Sequence, residues 1–134
     1  FSSKQRHDVS VVDHVRGLLD DPTVALGDIG VLAMYRHQVN DLMTALKAAG
    51  IPAIDLEKYD GRPTNAVKVG TIKRAKGLEF KHVLVARTPL ALIDGMPGGQ
   101  LADSERERLE LELRELYVAM TRARDGLWVG VLAA

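Results

Sequence analysis

Cysteine is absent from the 134 residues of this chain, which excludes a disulfide framework and any zinc site built from thiolates. The four histidines are scattered without a ligand spacing such as His-x-x-x-His, so we expect no bound metal. No apolar run approaches the roughly 20 residues of a membrane span, and no signal-peptide pattern follows Phe1. These absences predict a cytoplasmic protein that does not enter a membrane.

Neither sign of charge is in excess, because eighteen Lys and Arg residues balance eighteen Asp and Glu residues. A nucleic-acid site would therefore have to be a local basic patch rather than a general positive field. The sequence also contains no G-x-x-x-x-G-K-[ST] motif, so it has no phosphate-binding loop of its own. Because the chain starts at Phe1 rather than at Met, we expect it to be a fragment of a longer protein.

Hydrophobic residues make up 46% of the chain, which is enough for the core of a single domain covering residues 1–134. Apolar periodicity and turn signals predict alternating strands and helices. The predicted strands are residues 29–34, 51–56, 67–71, 82–86 and 127–132, and the predicted helices are residues 11–19, 38–49 and 104–120. This alternation predicts an α/β fold with a mainly parallel sheet and helices on both faces.

Three further expectations concern the segments around these elements. Residues 1–7 are polar and are expected to form a frayed lead-in. Residues 90–100 contain Gly and Pro without periodicity and are expected to form a mobile loop. Ser104, followed three residues later by Glu107, is expected to start the last helix with a capping box.

Three polar segments lie at the ends of predicted strands or helices, where α/β proteins commonly bind ligands. Tyr35 and Arg36 follow one strand, and VKVGTIKRAKGLEF at 67–80 is a strand that leads into a basic turn. The sequence YVAMTRAR at 117–124 lies at the end of the last predicted helix, and Arg114 lies earlier on the same helix. Each segment also has an ordinary interpretation: a surface anchor, a solvated basic turn, or a helix end with cations near its negative dipole.

Together the three segments resemble, in order, motifs IV, V and VI of the second RecA-like motor domain of superfamily 1 DNA helicases of the UvrD/Rep/PcrA type. GDIGVLAMYRHQVNDLMTAL resembles motif IV, VKVGTIKRAKGLEF resembles motif V, and ELRELYVAMTRAR resembles motif VI. The resemblance runs from about Asp28 to the C-terminus. It implies a RecA-like, P-loop NTPase-like motor domain that lacks its own P-loop and works with an upstream RecA-like domain.

The resemblance also implies a nucleotide cleft in which that upstream domain holds most of ATP and its Mg²⁺. Arg36 and Arg122 would act as arginine fingers at the γ-phosphate. Tyr35 would stack on the adenine, and Glu79 would form a hydrogen bond with the ribose. Gly77, in the same motif as Glu79, is assigned to the same nucleotide site.

The other implied roles concern DNA and the support of the cleft. Thr71 and Lys73 would contact the backbone of single-stranded DNA, and Arg114 would organise the cleft without touching the nucleotide. The parent protein would be an ATP-dependent DNA helicase or translocase with 3′ to 5′ polarity. This chain alone is not expected to hydrolyse ATP, because it lacks a phosphate loop and an Asp-Glu pair for magnesium.

The chain departs from the family pattern at several positions. Lys73 stands where His is common, Glu115 stands where an apolar residue is usual, and Leu113 replaces a frequent Arg. Lys73 can still hold a phosphate, but as a point charge without a ring. The accessory domain that long members insert between motifs IV and V is absent here or reduced to residues 57–65.

Two other functions remain open from the sequence: a non-catalytic docking module with a motor-like fold, and a stand-alone nucleic-acid-binding domain. The joint presence of Arg36, Glu79 and Arg122 argues against the docking module, because a docking surface does not need all three. The zero net charge and the low aromatic content of 4% argue against the stand-alone binder. An intact phosphate loop upstream of this chain would favour the motor.

Overall fold

Five strands form one sheet at the centre of the structure, a computed structural model that describes residues 1–94 and 103–133. The strands are β1 (Ile29–Ala33), β2 (Ala53–Asp55), β3 (Val67–Thr71), β4 (Phe80–Pro89) and β5 (Ala123–Leu132). The helices are α1 (Lys4–Leu19), α2 (Arg36–Ala48), α3 (Leu90–Asp94) and α4 (Asp103–Met120). The strands lie in the order β2-β3-β1-β4-β5, and all of the pairings are parallel. The predicted α/β fold with a parallel sheet is confirmed.

Helices cover both faces of this sheet, as predicted. All five residues of β1 are buried, and its successive side chains point to opposite faces. Val31 packs in the core beneath α1 and α2. This core also contains Val11, Val15, Val39, Leu42, Leu46 and Leu84. Leu32 packs in the core beneath α4, with members that include Val83, Val85, Leu109 and Leu116. Within the described residues, no helix is long and apolar enough to cross a membrane.

The N-terminal segment is more ordered than its polar sequence predicts. Residues 1–7 do not form a frayed lead-in, because α1 begins at Lys4. Ser3 is the N-cap of this helix, and its hydroxyl accepts a hydrogen bond from the Arg6 backbone N–H at 3.1 Å. His7 is fully buried. The prediction failed because a buried polar partner for His7, far away in sequence, gives this polar segment an interior contact.

The region before α4 also differs from the prediction. Ser104 is not the N-cap of the helix, because the chain is already helical at Asp103, the first described residue of α4. Residues 90–94 of the predicted loop instead form α3, where burial of the Leu92 side chain in the core beneath α4 stabilises a helical turn. The rest of the predicted loop, residues 95–100, lies outside the described residues.

Strand β4 is irregular at Arg87, whose φ of 54° is uncommon for a residue other than glycine. The pairing of β4 with β5 shifts register at this point. The Arg87 side chain is 3% exposed and donates hydrogen bonds to Asp8 and Asp41. Its backbone N–H donates to His7 Nε2 at 2.8 Å. This irregularity therefore links β4 to both α1 and α2.

Candidate functional site

The carboxyl ends of β1 and β3 lie side by side. Ala33 pairs with Thr71, and the Ile72 N–H donates to the Ala33 carbonyl at 2.9 Å. Tyr35, two residues beyond β1, therefore lies at the same edge of the sheet as Thr71. Ligands of parallel α/β sheets commonly bind at this edge. The structure thus brings together the polar residues that follow these two strands.

Tyr35 is the N-cap of α2, and its hydroxyl reaches α4. It donates to Glu112 Oε1 at 2.5 Å, and the residue is 44% exposed. The Tyr35 ring stacks on His37 with centroids 6.0 Å apart and planes 11° apart. The hydrogen bond to the Glu112 carboxylate raises the pKa of Tyr35, because ionisation would put two negative charges together. Tyr35 is thus kept protonated and still has exposed ring surface for a planar ligand.

Arg36, the first residue of α2, points toward β2. Its Nη1 donates to Asp55 Oδ1 at 3.0 Å, its Nη2 pairs with Asp55 Oδ2, and Nη2 also donates to Asn40 Oδ1 at 2.9 Å. The hydrogen bonds from Arg36 lower the pKa of Asp55, although partial burial opposes this shift. The guanidinium is therefore occupied by a carboxylate in this structure.

The segment after β3 forms a tight basic turn. The Thr71 hydroxyl accepts a hydrogen bond from the Arg74 N–H at 3.2 Å, which leaves the hydroxyl proton available for another acceptor. The Lys73 side chain is 70% exposed, and its Nζ lies 3.6 Å from Glu115 Oε1 on α4. Gly77 has a φ of 82°, a conformation that favours glycine. The two predicted DNA contacts, Thr71 and Lys73, therefore lie together.

Glu79 lies at the opposite, amino edge of the sheet. Residues 72–78 cross the sheet between the two edges, and Glu79 directly precedes Phe80, the first residue of β4. The Glu79 side chain is exposed and lines an open cleft of about 330 Å³ with Asp28, Lys81 and Arg124. Glu79 is therefore separated from Tyr35 by the length of the strands.

Arg122 lies beside Glu79 at the amino edge. Its carbonyl accepts a hydrogen bond from the Phe80 N–H at 2.9 Å. In the part of the chain that the structure describes, its buried Nε has no hydrogen-bond partner, and its Nη2 donates to Thr121 Oγ1 at 3.3 Å. This guanidinium is therefore only partly satisfied. Arg114 is exposed on α4, two turns before Arg122.

The predicted site residues thus form two groups. Tyr35, Arg36, Thr71 and Lys73 lie at the carboxyl edge, whereas Glu79 and Arg122 lie at the amino edge. Helix α4 spans the distance between them: Glu112, which Tyr35 contacts, precedes the end of α4 at Met120 by eight residues, or about 12 Å. The structure does not bring Arg36 and Arg122, the two predicted arginine fingers, together.

Two residues of this region were not found from the sequence. Asp55, the partner of Arg36, ends a short apolar strand, and an acid at a strand end was the available signal. Glu112, the partner of Tyr35, lies three residues after Leu109 and four before Leu116, so it interrupts an apolar helix face. A carboxylate at such a position indicates a specific polar partner.

The sequence profile of the UvrD-like helicase C-terminal domain matches residues 37–133 of the chain. The chain belongs to this family. The resemblance found in the three motifs is therefore confirmed. A solved structure agrees in fold with this UvrD-like domain: the C-terminal domain of a possible DNA helicase from Lactobacillus plantarum WCFS1 has a TM-score of 0.68 at 23% identity. The match covers 98% of this chain and 72% of that chain.

Curated relatives of this UvrD-like domain carry helicase names. DNA helicase II of Escherichia coli (strain K12) is 34% identical over 96 residues, which cover 69% of this chain. YjcD of Bacillus subtilis (strain 168), named provisionally as an ATP-dependent DNA helicase, is 34% identical over 109 residues, which cover 78% of this chain. The chain spans only 12% and 13% of the lengths of these two proteins, respectively.

Proposed function

We propose that this chain is the second motor domain of an ATP-dependent DNA helicase or translocase and acts with an upstream nucleotide-binding domain of a longer polypeptide. Its family and the names of its relatives support this proposal. Because the sequence contains no phosphate loop, the upstream domain must hold most of ATP and Mg²⁺. Polarity of 3′ to 5′ and a cytoplasmic setting are part of the proposal.

Arg122 carries the nucleotide part of the proposal, because its buried Nε has no partner in the described chain. Leaving a buried donor unpaired costs free energy, so such a donor favours an anionic ligand. When the upstream domain closes, the Arg122 guanidinium stabilises the charge that develops on the transferred phosphoryl group. Glu79, beside it at the amino edge, accepts a hydrogen bond from the ribose, and Gly77 allows the turn that precedes Glu79.

Arg36 acts as a second arginine finger only in a conformation in which it leaves Asp55 and reaches the nucleotide beside Arg122, because the two arginines lie at opposite edges of the sheet in this structure. Its bonds to Asp55 have the geometry that a guanidinium also uses with phosphate, so a γ-phosphate can replace the carboxylate. Tyr35, the neighbouring residue, stacks on the adenine through its exposed ring in that same conformation, because Glu79, which is assigned to the ribose, lies at the other edge of the sheet in this structure. Arg114, exposed on α4, supports the cleft that Arg122 enters.

Thr71 and Lys73 form the DNA part of the proposal. The Thr71 hydroxyl proton can donate to a phosphate oxygen while the oxygen continues to cap the turn. The mostly exposed Lys73 ammonium can reach a second phosphate. Residues 72–78 lead from Thr71 to Glu79. Binding of DNA and binding of the nucleotide therefore act on the two ends of one short segment.

The Arg122→Ala substitution in the full-length polypeptide tests this proposal. We expect steady-state ATP turnover in the presence of single-stranded DNA to fall by about 10³-fold or more, because the transition-state charge loses its guanidinium. Arg62→Ala is the matched control, since the Arg62 side chain is 85% exposed and Arg62 lies outside the three motifs. Near-normal turnover of the Arg122 variant would contradict the arginine-finger assignment and favour a docking module.

A further inference from the structure

Two departures from the family pattern, Lys73 and Glu115, contact each other. Lys73 occupies a position where His is common, and Glu115 a position where an apolar residue is usual. The structure brings Lys73 Nζ to 3.6 Å from Glu115 Oε1. The ion pair joins the turn after β3 to helix α4. Because both substitutions meet in one contact, they are best explained as a pair.

The two partners differ strongly in their surroundings. The Glu115 side chain is only 13% exposed, whereas the Lys73 side chain is 70% exposed. Among the described residues, Lys73 is the one cation within 4.0 Å of the Glu115 carboxylate. A mostly buried carboxylate is costly without a partner, and a lysine on a flexible stem can exchange one anion for another. Glu115 is therefore the fixed member of the pair and Lys73 the mobile one.

We propose that Glu115 binds the Lys73 ammonium when DNA is absent and competes for it with a phosphate of single-stranded DNA. This inference rests on the proposed function, in which Lys73 contacts the strand. DNA binding then exchanges one anionic partner of Lys73 for another and breaks the ion pair between the turn and α4, whereas their apolar contacts remain. Because α4 leads directly to Arg122, loss of this ion pair couples DNA binding to the nucleotide site.

The Glu115→Gln substitution removes the competing charge and keeps the shape of the side chain. The test is a titration of DNA-stimulated ATP turnover of the full-length polypeptide with oligothymidylate. We expect the half-saturating oligothymidylate concentration to fall by about two- to fivefold at low ionic strength. This factor corresponds to the free energy that a partly exposed ion pair contributes. The maximal turnover rate stays unchanged, and the effect shrinks at physiological ionic strength.

Two controls isolate the pair. Glu110→Gln removes the same charge from an exposed position of α4, so a general gain in positive charge would appear there as well. In a Lys73→Met background, Glu115→Gln should leave the half-saturating concentration unchanged, because the cation for which the two anions compete is gone.

Glu115→Leu restores the apolar residue usual in the family. It provides a second variant if Glu115→Gln disturbs folding, and thermal unfolding shows whether either variant is folded.

Three results would overturn the inference. An unchanged half-saturating concentration in both Glu115 variants, with normal DNA stimulation of the unmodified protein, would exclude competition and leave the proposed function intact. A higher concentration would mean that Glu115 positions Lys73 for DNA. An equal decrease in the Lys73→Met background would mean that Glu115 acts without Lys73. By contrast, no DNA stimulation of the unmodified protein would contradict the proposed function itself, and this inference with it.

Discussion

Arg87 illustrates how single charged residues are fixed in this chain. Because His7 Nε2 accepts from the Arg87 N–H, the proton of neutral His7 is on Nδ1 and is donated to Asp8 Oδ1 at 2.9 Å. The Arg87 guanidinium donates to both oxygens of Asp8, at 3.2 and 2.6 Å, and to Asp41 at 2.8 Å. Burial raises the pKa of Asp8, but the bonds from His7 and Arg87 outweigh it and lower the pKa overall.

At the residue scale we therefore expect Arg87→Met to destabilise the domain. The variant leaves Asp8 without its main cation and removes the contact with Asp41, which should lower the free energy of unfolding by about 3 kcal/mol. Urea denaturation measures this difference. Arg62→Met, at a side chain that is 85% exposed, should change stability by less than about 0.5 kcal/mol. Similar values for the two variants would mean that the buried network contributes little.

At the scale of elements, the turn at residues 72–78 is notable because it connects both edges of the sheet. Thr71 starts it with a side-chain hydrogen bond to the Arg74 N–H, and Ile72 and Ala75 anchor it in the core beneath α4. Gly77 completes the turn in the left-handed region, with open space around the position of a Cβ. The conformation of the turn thus depends on the backbone at Gly77 rather than on packing there.

Gly77→Ala should therefore destabilise the domain by backbone strain alone. The expected decrease in unfolding free energy is about 1 kcal/mol, the cost of a left-handed conformation for a residue with a Cβ. Gly17→Ala is a matched control for which we expect a change in stability of the opposite sign. Gly17 lies in α1, and no neighbouring atom lies within 4 Å of the position that an alanine Cβ would occupy. Alanine there should stabilise by up to about 1 kcal/mol. Urea denaturation of both variants checks the prediction, which fails if the two changes have the same sign.

At the scale of the whole molecule, stability depends on groups whose pKa values are lower in the folded state. Burial, together with the charge of His82, lowers the pKa of His14, whose ring stacks on Trp128. Hydrogen bonds lower the pKa values of Asp8 and Asp55, although burial opposes both shifts. In all three cases the unfolded chain binds protons more readily than the folded chain, so acid favours unfolding.

We expect the free energy of unfolding to fall with decreasing pH in two ranges. The contribution of His14 is present above its ordinary pKa of 6.5 and is lost as the pH falls through its lower folded-state value. The contributions of Asp8 and Asp55 are present above 3.8 and are lost below it. Urea denaturation followed by the fluorescence of Trp128, the single tryptophan, measures both ranges.

His14→Phe isolates the upper range, because phenylalanine keeps an aromatic ring against Trp128 but does not titrate. The difference in stability between the variant and the unmodified chain should depend on pH near and below 6.5 and become constant at higher pH. A difference that is independent of pH would show that His14 does not contribute to the upper range.

The fold was largely predictable because it depends on apolar patterns. β1 and β3 are buried strands flanked by turn signals, and their predicted limits differ from the observed ones by at most one residue. β4 and β5 extend beyond their predicted limits, to ten residues each, because parallel pairing with a neighbouring strand supports backbone that is not apolar in sequence. The start of α1 was missed because the burial of His7 depends on Arg87, 80 positions away.

The sequence by itself determined the alternation of strands and helices, the burial of both sheet faces and the three helicase motifs, because each depends on residues close together in the chain. Only the tertiary structure decided which charges meet: Arg36 with Asp55, 19 positions away, and Arg87 with Asp8, 79 positions away. It also decided that Arg36 and Arg122 lie at different edges. The order of the strands and the path of the helices across the sheet determine which of these residues meet. Neither can be read from the spacing of residues along the chain.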